Sequence, residues 1–372
     1  MFIFSGGPIQ GGTVREWRTI GLFDRVVWGR GSHMGESCRT AGRTAALLVN
    51  TGSPSAPTPK AVKAYLSEFL MDPCVRPMPA PAWWLILHGA ILPKRQHASA
   101  AKYREIWTAE GSPLLTAASH LASRTESLLR ARHDGPAPLV RAAMSYGEPS
   151  IAGVLSELKR AGVDGLVVIP LYPQSAKSTS GSVLLRVREE LERASWSPEV
   201  VEVGSYCDEP LYLDAVTAKI RAAGFDAVTD RIVFSFHSVP VPDVAAGDTY
   251  PEQVDRTCNG LAKRLGLPRD HWACGYQSPF EDNRRWMGPY TVTMVGDVVS
   301  HARRRAFMVC PGFSLDCLET LYDVEHEFRP LFEAAARKAG EPGRHSFTYV
   351  PCLNADDSQV ELMAHLIEGA LE

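Results

Sequence analysis

From residue 44 onward, short apolar runs of β character alternate with longer amphipathic stretches. Eight runs read as strands: Ala45–Asn50, Leu139–Met144, Gly165–Leu171, Val200–Val203, Arg231–Phe236, Trp272–Tyr276, Ala306–Val309 and Phe347–Val350. Helical spacing predicts helices over Thr58–Leu70, Leu115–Ala131, Ile151–Ala161, Ser182–Ala194, Pro210–Ala223, Tyr250–Leu265, Tyr290–Ala302, Asp316–Ala339 and Ser358–Leu371. Strand and helix in repeated alternation indicate an α/β protein with parallel sheets. Runs such as Leu166–Leu171 and Phe307–Cys310 are apolar on both faces, as expected of strands covered on both sides. The pattern therefore predicts two doubly wound, Rossmann-like domains, residues 44–205 and 206–355, and a closing helix over 356–372. No repeat of 20–50 residues is visible.

Two segments break the rhythm. Residues 1–43 carry Gly-Gly pairs, six arginines and no apolar periodicity, which predicts a poorly ordered extension. They also lack the continuous apolar stretch of a secretory signal. Pro79–Pro93 is the longest apolar segment, too short to span a bilayer and interrupted by prolines. It reads either as a buried helix or as an apolar lip for a greasy ligand or for peripheral contact with a membrane surface.

Composition narrows the class. The chain has 372 residues, 39 Lys+Arg against 42 Asp+Glu, and 45% hydrophobic residues, so disorder, collagen and coiled coil are excluded. A formal charge of −3 without a basic block argues against a nucleic-acid partner. The eight cysteines are scattered, with no CxxC pair, which favours a reducing, cytoplasmic setting over a disulfide scaffold. Their spacing, Cys310 and Cys317 included, matches no zinc or iron–sulfur pattern, so buried thiols are expected rather than a [2Fe–2S] cluster. The absence of GxGxxG and Walker A motifs argues against nucleotide binding.

In folds of this type ligands sit beyond the carboxyl ends of the strands, so residues that end a strand carry the chemistry. His237 stands there, with Pro240 holding the following chain extended. Its imidazole suits a transition metal or a proton near neutral pH, or else is a structural histidine. After the seventh strand, Glu319, Asp323 and Glu327 recur at i, i+4 and i+8 on a helix that Asp316 is placed to cap. That row is either a solvated acidic face or a place for a divalent cation beside the histidine. Thr51, Tyr146, Ser178, Thr179, Gln277 and Trp286, from or near the other strand-end loops, would line a wide cleft.

Taken in order, eleven short motifs resemble the ferrochelatase family, whose members insert ferrous iron into a porphyrin. They are LLVNTGSP (47–54), FLMDPCV (69–75), YREIWTAEGSPLL (103–115), AMSYGEPSI (143–151), IPLYPQSAKSTSGS (169–182) and FSFHSVP (234–240). GDTYPEQ (247–253), YQSPF (276–280), WMGPYT (286–291), CPGFSLDCLETLYD (310–323) and VPCLN (350–354) complete the series. The resemblance implies a chelatase-like fold with a porphyrin cleft between two domains, His237 and Glu319 as the inner catalytic and metal-binding pair, and Asp323 and Glu327 as the metal path. It implies porphyrin and Fe²⁺ as substrates and no required cofactor. The expected product is protohaem from protoporphyrin IX. A coproporphyrin III enzyme and a non-catalytic tetrapyrrole-binding protein are the alternatives. Ser145 and Pro279 stand where the family usually has arginine, and Ser175 where it usually has tyrosine.

Overall fold

A computed structural model describes residues 42–280, 282–301, 305–338 and 346–372 of the chain. The expected N-terminal extension, apart from its last two residues, lies outside them. A strand forms at every apolar run: β1 (Arg43–Gly52), β2 (Leu139–Tyr146), β3 (Val163–Pro170), β4 (Glu199–Glu202), β5 (Arg231–His237), β6 (Trp272–Gln277), β7 (Arg305–Val309) and β8 (Ser346–Val350). They build two four-stranded parallel sheets, ordered β2-β1-β3-β4 and β6-β5-β7-β8. The order is the same in both, a duplication of topology without a visible repeat in sequence. In each, the order reverses between the first and third strands of the set, at β1/β3 and at β5/β7.

The helices are α1 (Pro59–Met71), α2 (Ala80–Ile86), α3 (Leu92–Ile106), α4 (Pro113–Arg132), α5 (Ile151–Arg160), α6 (Ser182–Arg193) and α7 (Pro210–Ala222). They continue with α8 (Val241–Ala245), α9 (Tyr250–Leu265), α10 (Thr291–His301), α11 (Leu318–Asp323), α12 (Arg329–Lys338) and α13 (Asp357–Leu371). Local chemistry sets several ends. The Thr58 hydroxyl accepts from the Ala61 amide, with Pro59 at the first helical position. Ser150 caps α5 in the same way, and Gly266, at φ 67°, closes α9 in the left-handed conformation that suits glycine. One apolar cluster runs from Leu48 and Ile169 in the first sheet to Phe234 and Phe307 in the second. α13 contributes Leu362 and Met363 to it and packs on both α4 and α7. Separate clusters cover the other face of each sheet, so parallel strands are buried on both sides as their composition demands.

Two expectations change. The single helix over Asp316–Ala339 is broken: α11 is followed by a π-helical turn, Val324–Phe328, before α12 begins. Asp316 does not cap it, because Cys317 is the capping residue. The Asp316 carboxylate is instead filled by Tyr349 Oη (2.7 Å), Asn354 Nδ2 (2.7 Å) and Thr320 Oγ1 (2.9 Å), tying the loop to β8 and the segment after it. The second change lies between α1 and α4, where the pattern assigns no element beyond the apolar segment. α2, a π-helical turn (Leu87–Ile91) and α3 form a continuous helical arm there. Trp83, Leu87 and Leu92 point inward, whereas Trp84, Leu85 and Ile86 are 43–66% exposed, so the segment is part core and part apolar lip. Among the described residues no helix is long and apolar enough to cross a membrane.

Candidate active site

The carboxyl ends of β1, β3 and β5, and the loop beyond β7, open into one cleft. It encloses about 1220 Å³ of space, its open mouth included. Asn50–Gly52 end β1 with Ser53 just after them, Tyr172 and Gln174 follow β3, His237 ends β5, and Gly312–Leu315 follow β7. The reversal points of both sheets thus feed the same space, which is where a doubly wound fold places its ligand.

His237 is only partly buried, and its orientation is fixed from several sides. Nδ1 lies 2.6 Å from the Ser238 carbonyl. A carbonyl only accepts, so Nδ1 carries the hydrogen, and Nε2 keeps a lone pair for a metal or a proton. Tyr250 Oη donates to the His237 carbonyl (3.1 Å). Phe280 and Trp286 stand near the imidazole, with ring centroids 5.8 and 6.4 Å away, and pack on each other at 5.0 Å. Together they make an aromatic wall beside the one titratable group on that strand end.

Glu319 lines the same cleft from the first turn of α11. Gln277 Nε2 donates to its carbonyl (3.0 Å), while the Gln277 carbonyl oxygen Oε1 accepts from Ser235 Oγ (2.5 Å). Gln277 therefore bolts the strand that carries the histidine to the helix that carries the glutamate. Burial, then the Glu319 charge, push the Tyr103 hydroxyl above the ordinary tyrosine range, so it stays a neutral donor in the wall.

Asp323 and Glu327 continue outward from Glu319. The Asp323 side chain is 11% exposed and that of Glu327 48%, so Asp323 is buried between the cleft-facing Glu319 and the solvent-facing Glu327. Burial, followed by repulsion from Glu319, raises Asp323 to about 6, despite the opposing pull of Lys102 and a hydrogen bond from Ser278 Oγ (3.1 Å). Lys102, from α3, places Nζ 3.3 Å from both Asp323 Oδ1 and Glu327 Oε1. Half-burial opposes its charge, but the two carboxylates outweigh that and hold the ammonium above its ordinary pKa. Among the described residues no three His, Cys, Asp or Glu side chains converge into a ready cage for a metal. The acids form a line rather than a cage.

Of the cleft residues expected from sequence, Thr51, Ser178, Thr179 and Trp286 do line it, together with His237 and Glu319. The Thr51 and Tyr172 hydroxyls pair across the floor. Tyr146 and Gln277 are not lining residues. Tyr146 turns its hydroxyl inward to Ser182 Oγ (3.2 Å) and packs its ring on Phe69, and the Gln277 amide is consumed by the links just described. Sequence reasoning missed the apolar and aromatic walls from Tyr65, Phe69, Tyr103, Phe280 and Phe313, and also missed Arg284, the one Lys or Arg among the cleft-lining residues described. The motif YQSPF contained Phe280, but nothing in spacing showed that its ring would face His237.

The sequence profile of ferrochelatase matches residues 43–371. The ferrochelatase of Thioalkalivibrio sulfidiphilus is 40% identical over 322 residues, 86% of this chain and 85% of that protein. The chain belongs to the ferrochelatase family. The ferrochelatase of Methylococcus capsulatus is 39% identical over 333 residues, covering 89% of this chain and 98% of its own length. SirB from Bacillus subtilis, solved with Fe³⁺, superposes with a TM-score of 0.53 at 12% identity, covering 88% of this chain and 96% of that one, a likeness of fold.

The departures from the ferrochelatase pattern have definite places. Ser145 is buried at the end of β2, and its hydroxyl has no partner among the described residues. Ser175 is buried and held through its backbone by Gln253 (2.8 and 3.1 Å). Pro279 lies on the exposed side of the turn after β6. Arg284 supplies a guanidinium to the cleft from another position. Asp282 grips its Nε (2.7 Å) and Nη2 (2.5 Å), and Nη2 also reaches the Val75 carbonyl (3.1 Å).

Proposed function

We propose that the protein inserts Fe²⁺ into protoporphyrin IX, releasing two pyrrole protons and forming protohaem. The observation that carries this reading is the meeting of His237 and Glu319 in one cleft, with Asp323 and Glu327 stepping from Glu319 to solvent. His237 Nε2, left with its lone pair by the Nδ1–Ser238 hydrogen bond, takes one pyrrole proton, and the second leaves to solvent through the open cleft. Glu319 receives the metal from the acid line and replaces water in its shell. Carboxylate and imidazole ligands suit a borderline divalent ion, and the open line of acids lets it arrive hydrated and leave its waters in stages.

A flat macrocycle hides its nitrogen lone pairs, so insertion needs the ring bent, with strain supplied by binding at its periphery. The walls from Phe69, Phe280, Trp286 and Phe313 are suited to grip an apolar ring. Arg284 offers a preset cation to a ring carboxylate. With Arg284 the one Lys or Arg among the described cleft-lining residues, and already paired with Asp282, the cleft suits the two carboxylates of protoporphyrin better than the four of coproporphyrin III. The exposed Trp84, Leu85 and Ile86 on the arm beside the cleft suit peripheral contact with a membrane that holds so apolar a substrate.

The test is anaerobic Fe²⁺ insertion into each porphyrin, followed by absorbance, with wild type and Glu319→Gln. Faster metallation of protoporphyrin, slowed at least a hundredfold in the variant, supports the reading. Preference for coproporphyrin, or no insertion into either, overturns the corresponding part of it.

A further inference from the structure

Lys102 stands across the acid line from the opposite wall. It comes from α3, whereas Asp323 and Glu327 lie at the end of α11 and in the π-helical turn after it. Its Nζ is equidistant, 3.3 Å, from one oxygen of each acid. Both separations exceed the 2.7–2.9 Å of a tight charge-assisted bond, so the ammonium is shared and fully satisfies neither carboxylate. The Tyr322 ring lies 4.8 Å from the same Nζ, so the ammonium sits over an aromatic face while it bridges the acids. On one side of the pair, Ser278 holds Asp323; on the other, Glu327 is open to solvent.

We propose that Lys102 is a tethered stand-in for the metal: it holds Asp323 and Glu327 together in the empty protein and is exchanged for the incoming divalent cation. The physics favours exchange. Two carboxylates beside Glu319 repel one another, and one ammonium removes half of the pair's charge without forming a coordinate bond. A divalent ion neutralises the pair completely and takes carboxylate oxygens into its inner shell. Monovalent cations gain neither advantage over the lysine, so the exchange filters by charge before the metal meets Glu319. Metal affinity at this step is therefore set as much by how easily Lys102 leaves as by the acids themselves. The proposal rests on the ferrochelatase reading for the acids as the metal path and for Fe²⁺ as the natural ion.

The test is Mn²⁺ binding to the full chain without porphyrin, read from the electron paramagnetic resonance of free Mn²⁺. Lys102→Met should bind Mn²⁺ on the order of tenfold more tightly, the gain expected from removing two competing ion pairs. The gain should vanish in Lys102→Met combined with Glu327→Gln. Lys102→Arg, whose planar fork grips carboxylates more firmly, should bind Mn²⁺ more weakly than wild type. Equal or weaker binding in Lys102→Met overturns the proposal, and so does unchanged binding in Lys102→Arg, which decides the matter if the methionine variant fails to fold. Failure of wild type to metallate any porphyrin would sink the assigned reaction instead, whatever the Mn²⁺ titrations show.

Discussion

Asp323→Asn should stabilise the protein at alkaline pH while impairing its use of metal. Burial and the charge of Glu319 raise this carboxyl from 3.8 to about 6. A displacement of that size corresponds to about 2–3 kcal/mol between protonation states. The folded state holds the proton more tightly than the unfolded chain, so the favourable contribution is complete below about pH 4. It is lost as pH rises through 6. Above that, the ionised side chain costs stability, which the protein retains for function. Asparagine removes the charge and keeps an oxygen for Ser278. Calorimetric melts at pH 4 and pH 8 should show a gain of several degrees for the variant at pH 8 and little change at pH 4. Insertion assays on the same preparation should show a raised KM for Fe²⁺. Equal shifts at both pH values, or destabilisation at pH 8, would refute the claim that the buried, ionised Asp323 beside Glu319 costs the fold stability.

Other outcomes follow from single contacts. Gln277→Leu removes the side-chain donor to the Glu319 carbonyl and leaves Ser235 with Thr291 alone, so stability should fall by about 1–3 kcal/mol in denaturant titration. Its kcat should fall more than its KM rises. Arg284→Met should raise KM for the porphyrin severalfold with kcat nearly unchanged, a split that steady-state kinetics with porphyrin varied would reveal. Leu85→Glu should weaken co-sedimentation with anionic lipid vesicles while leaving Fe²⁺ insertion in detergent intact, since the side chain is 66% exposed.

The parallel strands were legible because burial on both faces makes each a bare apolar run, and all eight formed where such runs occur. His237 stood out as the residue at which a strand stops, and the acids as a four-residue spacing that survives the local change to a π turn. That turn was invisible: an extra residue in a helical turn leaves no mark in composition. The arm from Ala80 to Ile106 was legible only in part, as the apolar segment Pro79–Pro93, for a different reason. Its outward Trp84, Leu85 and Ile86 blur the boundary between polar and apolar faces that helical spacing relies on. Lys102 lies on that arm, 221 residues from Asp323, and only the fold brings them together. The shared order of the two sheets was likewise carried by topology and by no repeat of residues.

The central claim is that His237 performs proton removal within a cleft built by other residues. The most direct measurement pairs porphyrin binding, by tryptophan fluorescence quenching, with anaerobic Fe²⁺ insertion in wild type and His237→Ala. Porphyrin affinity should stay within a few-fold of wild type, with insertion reduced below detection in the variant. Insertion at the wild-type rate by His237→Ala would contradict it.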